Sequence, residues 1–92
     1  MRYPIAIEPG DDRNAFGVVV PDLPGCFSAG DTLDEAVINA SEAIALWIET
    51  VLGDGGTVPP PGRLETHRAN PDFNGWVWAL AEIDQALLSD SA

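Results

Sequence analysis

Residues 33 to 52 carry the pattern that most restricts the fold. Apolar side chains recur at Leu33, Ala36, Val37, Ala40, Ala43, Ile44, Trp47, Ile48 and Val51, the three-and-four spacing of one helix face. Asp34, Asn39, Ser41, Glu42, Glu49 and Thr50 take the other side. Thr32 followed by Glu35 fits a capping box, in which the hydroxyl accepts from an orphan amide and the Glu reaches back to the cap amide. Asp34 and Glu35 put negative charge where the helix dipole favours it. Gly53 is the expected stop. At ~1.5 Å per residue the helix spans roughly 30 Å. A helix this long with one wide apolar stripe needs a sheet to lie on.

The flanking segments supply strands. Tyr3, Ile5 and Ile7 alternate with Pro4, Ala6 and Glu8, which predicts a strand with one strongly apolar face. Pro4 has no amide to donate, so it belongs at the strand start or facing away from a neighbour. The polar run 9–14 is a hairpin loop. Phe16, Val18 and Val20 alternate around Gly17 and Val19 in a second strand, and Cys26-Phe27-Ser28-Ala29 forms a third after a Pro-Asp-Leu-Pro-Gly turn. Short connections between these strands predict an antiparallel meander. Residues 53–62, rich in Gly and Pro, predict an extended surface loop, and 64–69 a helical turn before Pro71. The apolar run 76–83 predicts a mostly buried fourth strand, with Trp76 and Trp78 on one face. Asp84 either caps a short helix through Leu88 or begins a tail. The expected class is α+β with order βββαβ plus a short C-terminal helix, one long helix lying on one face of the sheet. One domain over 1–88 and a linker or tail over 89–92 complete the organisation.

Composition narrows the chemistry. Fifteen acidic residues against four basic ones give a formal net charge of −11. Phosphate contacts need Lys and Arg, so these residues are not expected to bind nucleic acid. The acidity suits a basic protein partner or serves solubility. A single cysteine allows no internal disulfide and fits a reducing compartment. Met1 opens directly into a strand pattern with no secretory apolar segment, and no apolar run looks long enough to span a membrane.

No catalytic arrangement stands out. Cys26 has no nearby histidine to activate it and is expected as a buried structural thiol. His67, the only histidine, sits in a polar segment with Glu65 and Arg68 and is expected at the surface rather than as a ligand. Trp47 is expected in the core, and Trp76 and Trp78 either in the core or on a binding face. A metal-dependent nuclease needs carboxylates converging from inside the sheet. Here the strands supply only Glu8 and Glu82 near their ends, while Asp11, Asp12, Asp31, Asp34 and Asp72 fall in loops or at the cap. The residues alone support an acidic α+β binding module, with no metal, cofactor or catalytic residue.

One resemblance extends this reading. The run from Val18 through Pro21-Asp22-Leu23-Pro24-Gly25-Cys26 to Gly30-Asp31-Thr32-Leu33-Asp34-Glu35-Ala36, with Asn39-Ala40-Ser41-Glu42-Ala43 and Trp47-Ile48-Glu49, closely resembles the HicB antitoxin family. Tyr3-Pro4-Ile5 and Asn70-Pro71-Asp72-Phe73-Asn74-Gly75-Trp76-Val77-Trp78-Ala79-Leu80 match as well, so the likeness covers nearly the whole chain. It implies a degraded ribonuclease-H-like fold without its metal carboxylates. It also implies a partner: HicA, a small basic toxin with a double-stranded-RNA-binding-like fold that cleaves mRNA with a histidine. HicB binds it and blocks RNA access in the cytoplasm. Opposite charges on the two proteins would speed encounter. Family members usually continue into a ribbon-helix-helix or helix-turn-helix domain that represses their own operon. The expectation is therefore that DNA binding lies outside these residues. Either the natural protein continues beyond Ala92, or it belongs to a subset without the repressor half. Expected toxin-facing residues are Asp34, Glu35, Glu42 and Glu49 on the helix with Asp22 and Asp31 in the turns. Gly25, Thr32, Trp47 and Trp78 are expected to serve structure. Exposed sheet edges predict a homodimer or larger oligomer. The alternatives are a ribonuclease-H-type hydrolase with a reduced site, or a ligand-sensing or scaffold domain.

Overall fold

A computed structural model describes residues 1–84 and residue 86. The expected end of the C-terminal helix at Leu88, and the linker over 89–92, lie outside the described residues. At their border, Asp84 Oδ1 accepts the Ala86 amide at 2.9 Å, the contact a capping Asp makes.

Among the described residues, four strands and one long helix form the frame: β1 (Arg2–Glu8), β2 (Phe16–Val19), β3 (Phe27–Gly30), α1 (Leu33–Gly53), α2 (Leu64–Arg68) and β4 (Val77–Glu82), with a 3-10 turn at Pro71–Phe73. The sheet is antiparallel throughout, in the order β3-β2-β1-β4. The meander over β1 to β3 and the crossover that returns β4 to the same sheet are as the sequence predicts. β1 is central, and Tyr3 through Ile7 are all buried. Pro4 pairs with Leu80 of β4, whereas the β1–β2 ladder begins only at Ala6. At Pro4 the central strand therefore has a neighbour on one side, the setting in which a missing amide donor is tolerated.

Register sorts the side chains into two faces. Tyr3 opposite Ala81, Ile5 opposite Ala79 and Ile7 opposite Val18 share the face that carries α1. Ala36, Ala40, Ile44 and Ile48, an i+4 row along α1, are fully buried against it with Val20, Leu23 and Cys26. Gly30 shows how close the contact is at the helix start. A β-carbon there would lie 2.7 Å from the Glu35 carbonyl carbon and 2.8 Å from the Ala36 α-carbon, so only glycine fits. Asn39 Nδ2 adds a tie to the Ala29 carbonyl at 2.8 Å. On the opposite face, Ala6 pairs with Trp78, and the rings of His67 and Phe73 lie against Trp78 with centroids 6.4 and 5.4 Å away.

Several details depart from expectation. Only half of the capping box forms: the Glu35 amide donates to Thr32 Oγ1 at 3.1 Å, and the Glu35 carboxylate makes no return bond. The helix runs through Gly53 and ends in a Schellman motif, with Gly56 N–H donating to the Val51 carbonyl at 2.8 Å and Gly55 N–H to the Leu52 carbonyl at 3.1 Å. Gly55, with φ of 79°, supplies the left-handed residue in place of Gly53. β4 is an edge strand rather than a mostly buried one, and its Val77 and Leu80 are exposed. Trp76 precedes that strand and packs edge-on against Phe73. Leu33, on the expected inner stripe, is exposed at the first residue of the helix. By length and composition alone α1 could cross a membrane, with mean hydropathy 1.3, contrary to the expectation from the run pattern. Here its apolar row lies on the sheet, and Glu42 and Glu49 interrupt the remainder.

Of the extended loop expected over 53–62, residues 57–62 fit, the first few belonging to the helix end, and it is tied down by Tyr3, whose hydroxyl donates to the Pro59 carbonyl at 2.7 Å. Burial, and secondarily the Asp22 charge, raises the Tyr3 pKa above its usual value. Two outcomes are expected. Thr32→Ala removes the cap acceptor and lowers stability by roughly 1 kcal/mol in a denaturant melt; an unchanged midpoint would deny the cap its role. The raised Tyr3 pKa gives stability that is full below the unfolded value of about 10 and lost as pH rises through the folded value. Alkaline melts of the wild type should therefore fall more steeply above that pH than melts of Tyr3→Phe.

Candidate functional site

The side chains expected to meet a partner fall into two groups. Asp34, Glu35, Glu42 and Glu49 are exposed on α1. Steps of about 100° per residue put Glu35, Glu42 and Glu49 within one narrow stripe, diametrically opposite the buried Ala36–Ile48 row. Exposed Ile38 and Leu46 lie in the same stripe. The outer face of α1 is thus an acidic ridge with aliphatic side chains set into it. Asp31 is exposed at the other side of the helix start, where it lines a polar depression with Asp11, Asp12, Arg13 and Asn14. Asp11 closes the β1–β2 loop, accepting the Arg13 and Asn14 amides at 2.8 Å each. The Arg13 amide, then the Asn14 side chain and amide, hold its carboxyl below the usual range. Among the described residues, no three of His, Cys, Asp and Glu are placed to share a metal ion.

Asp22 does not belong with these acids. Its carboxylate accepts from His67 Nε2 at 2.9 Å and from the Gly62 amide at 2.9 Å. It is mostly buried, with an 11% exposed side chain. The pair pins the segment after the proline-rich loop to the β2–β3 turn, and the His67 ring stacks on Trp78. His67 is therefore a half-buried structural residue, not the free surface residue expected. Nothing local marked it, since its partner is distant in sequence. Gly25, with φ of 80°, turns the chain between β2 and β3, as its place in the Pro-Asp-Leu-Pro-Gly run implies.

Trp47 also differs from expectation. It is half-buried at the edge of the core, and its indole N–H donates to the Pro24 carbonyl at 3.0 Å. Together with Cys26, Phe27, Ala43, Leu46 and Val51 it lines an open groove of about 310 Å³ between α1 and the β2–β3 turn. Cys26 is buried as expected, and burial raises its thiol pKa. The sequence signal for this groove was present but ambiguous: Leu46 is an apolar residue off the inner stripe.

Comparison with known proteins places this architecture. The family model for a HicB-like antitoxin of bacterial toxin–antitoxin systems matches residues 3–92. An uncharacterised 14.9 kDa protein from the rep-hol intergenic region of Haemophilus phage HP1 is 41% identical over 92 residues, all of this chain and 68% of its own length. Antitoxin HicB 1 of Photorhabdus laumondii is 37% identical over 62 residues, covering 67% of this chain and 39% of that protein. The crystal structure of the Burkholderia pseudomallei antitoxin HicB superposes with TM-score 0.85 at 40% identity, covering 95% of this chain and 66% of that one. A chain of the HicA3 and HicB3 toxin–antitoxin complex superposes with TM-score 0.78 at 34% identity, covering 91% of this chain and 99% of that one. This chain spans about two thirds or less of the full-length relatives. It belongs to the HicB-like antitoxin family of bacterial toxin–antitoxin systems.

Proposed function

We propose that this chain is the inhibitory module of an antitoxin: it binds a small basic HicA-type toxin and keeps RNA from reaching it. The observation that most supports this is the likeness of the chain to one found in a solved toxin–antitoxin complex. The charge fits. A net charge of −11 attracts a basic protein over a distance of about one Debye length, roughly 10 Å at 0.1 M salt, and speeds encounter. The outer stripe of α1, with Glu35, Glu42 and Glu49, together with Asp34 and Asp31 at the start of the helix, is the surface we assign to the toxin. Asp22 is left out because His67 and Gly62 already occupy its oxygens.

The module acts by occupancy rather than catalysis, in the cytoplasm where the toxin meets mRNA. It needs no metal or cofactor. Operator DNA is not its ligand, because its acids would repel phosphates rather than release counterions from them. Open strand edges at β3 and β4, with Val77 and Leu80 exposed on β4, favour pairing with a second copy.

The test is inhibition. Mixed with the basic HicA-type protein of its own operon, the chain should stop RNA cleavage in proportion to the amount added. Association should slow by an order of magnitude or more as salt rises from low to physiological levels. RNA turnover by the chain alone with Mg²⁺ or Mn²⁺, or undiminished cleavage at excess chain, would overturn this reading.

A further inference from the structure

We propose that the groove between α1 and the β2–β3 turn is the toxin's anchor point, taking one apolar side chain from a cationic amphipathic segment whose Lys or Arg side chains reach Glu42 and Glu49. This rests on the proposed antitoxin function and names where on the domain the partner docks.

The groove is apolar because its polar atoms are already engaged. The Trp47 indole N–H is held by the Pro24 carbonyl at 3.0 Å, and Thr50 Oγ1 donates to the Leu46 carbonyl at 2.8 Å. Cys26 is buried and kept neutral by that burial. What remains on offer is hydrocarbon and the indole. Phe27 and Leu46, at 65% and 64% exposed, are the most exposed large apolar side chains among the described residues, and both line this one groove. Its volume of about 310 Å³ is at the bottom of the ~300–1,000 Å³ range of small-molecule pockets, and no convergent polar groups are left to orient such a ligand. A side chain of a partner protein fits this better than a cofactor does.

Charge selects the partner. Glu42 and Glu49 stand four residues before and three residues after Leu46, one turn to either side on the same face. Seven residues at ~1.5 Å separate them by roughly 10 Å. An apolar anchor flanked by two carboxylates at that interval is complementary to an apolar residue flanked by two cations two helical turns apart. A second copy of this chain would bring the same carboxylates, and a net charge of −11, against themselves. The groove's occupant is therefore a basic protein.

Binding of the basic HicA-type protein to the full chain, read by calorimetry at two salt concentrations, tests this. Leu46→Arg should weaken binding by about 30-fold or more, the loss given by removing an interface anchor. Glu42→Lys with Glu49→Lys should weaken it most at low salt. Thr66→Arg, exposed on α2, should leave it unchanged. Leu46 is exposed, so its variant keeps the buried row, and unchanged thermal melts verify that. Wild-type binding with an unaffected Leu46→Arg variant would overturn the anchor while leaving the antitoxin function standing. Loss on Thr66→Arg alone would move the docking surface to α2. Failure of the wild type to bind would remove both. Self-association abolished by Leu46→Arg would assign the groove to a second copy and overturn the proposal.

Discussion

Seating Ala36, Ala40, Ile44 and Ile48 on the inner face of the sheet is the contact on which the rest of the structure depends. Burying each isoleucine contributes about 1.5–3 kcal/mol, a large share of the ~5–15 kcal/mol that holds a domain together. The row is graded. Its two alanines lie at the end where Gly30 of β3 meets the first turn of the helix, and its two isoleucines lie farther along. Small residues let the backbones approach, and the large ones join Tyr3, Ile5, Ile7 and Ala81 in the core. Fixing the inner row also fixes the outer one. Glu35, Glu42, Leu46 and Glu49 face solvent because they lie opposite the buried row on the same rigid cylinder.

This arrangement separates stability from recognition. Most of the acids sit on loops or on the outer stripe, where they cost the core nothing, and among the described residues no charged or polar one is fully buried. Asp22 is the exception that tests the rule. It is drawn inward by His67 and the Gly62 amide and ties those two residues to the β2–β3 turn. An acid with its oxygens occupied contributes little to steering a basic protein beyond its long-range charge.

What the sequence disclosed follows the range of the interactions. The helix, its Thr32 cap and the turn at Gly25 depend on residues within a few positions of each other, and all were legible. So was the family, from the run around Pro21–Thr32. The exposure of Val77 and Leu80 was not, because an apolar run does not say whether a neighbour lies on both sides of the strand. Trp47 falls inside the stripe by helical angle, and it lines a groove rather than the core because the β2–β3 turn, not the sheet, lies beside it. The His67–Asp22 contact joins segments with no local signal between them, and no periodicity could have found it. Gly53 competed with Gly55 for the helix end, and the positive φ at Gly55 decided it.

The most direct measurement of whether α1 presents one face to the sheet and the other to a basic partner is a titration of the isotopically labelled chain with the HicA-type protein, followed by amide and indole NMR signals. The Trp47 indole signal and the Leu46, Glu42 and Glu49 amides should shift or broaden together, while those of Val77 and Leu80 stay in place. Changes confined to β4, with α1 silent, would contradict that assignment.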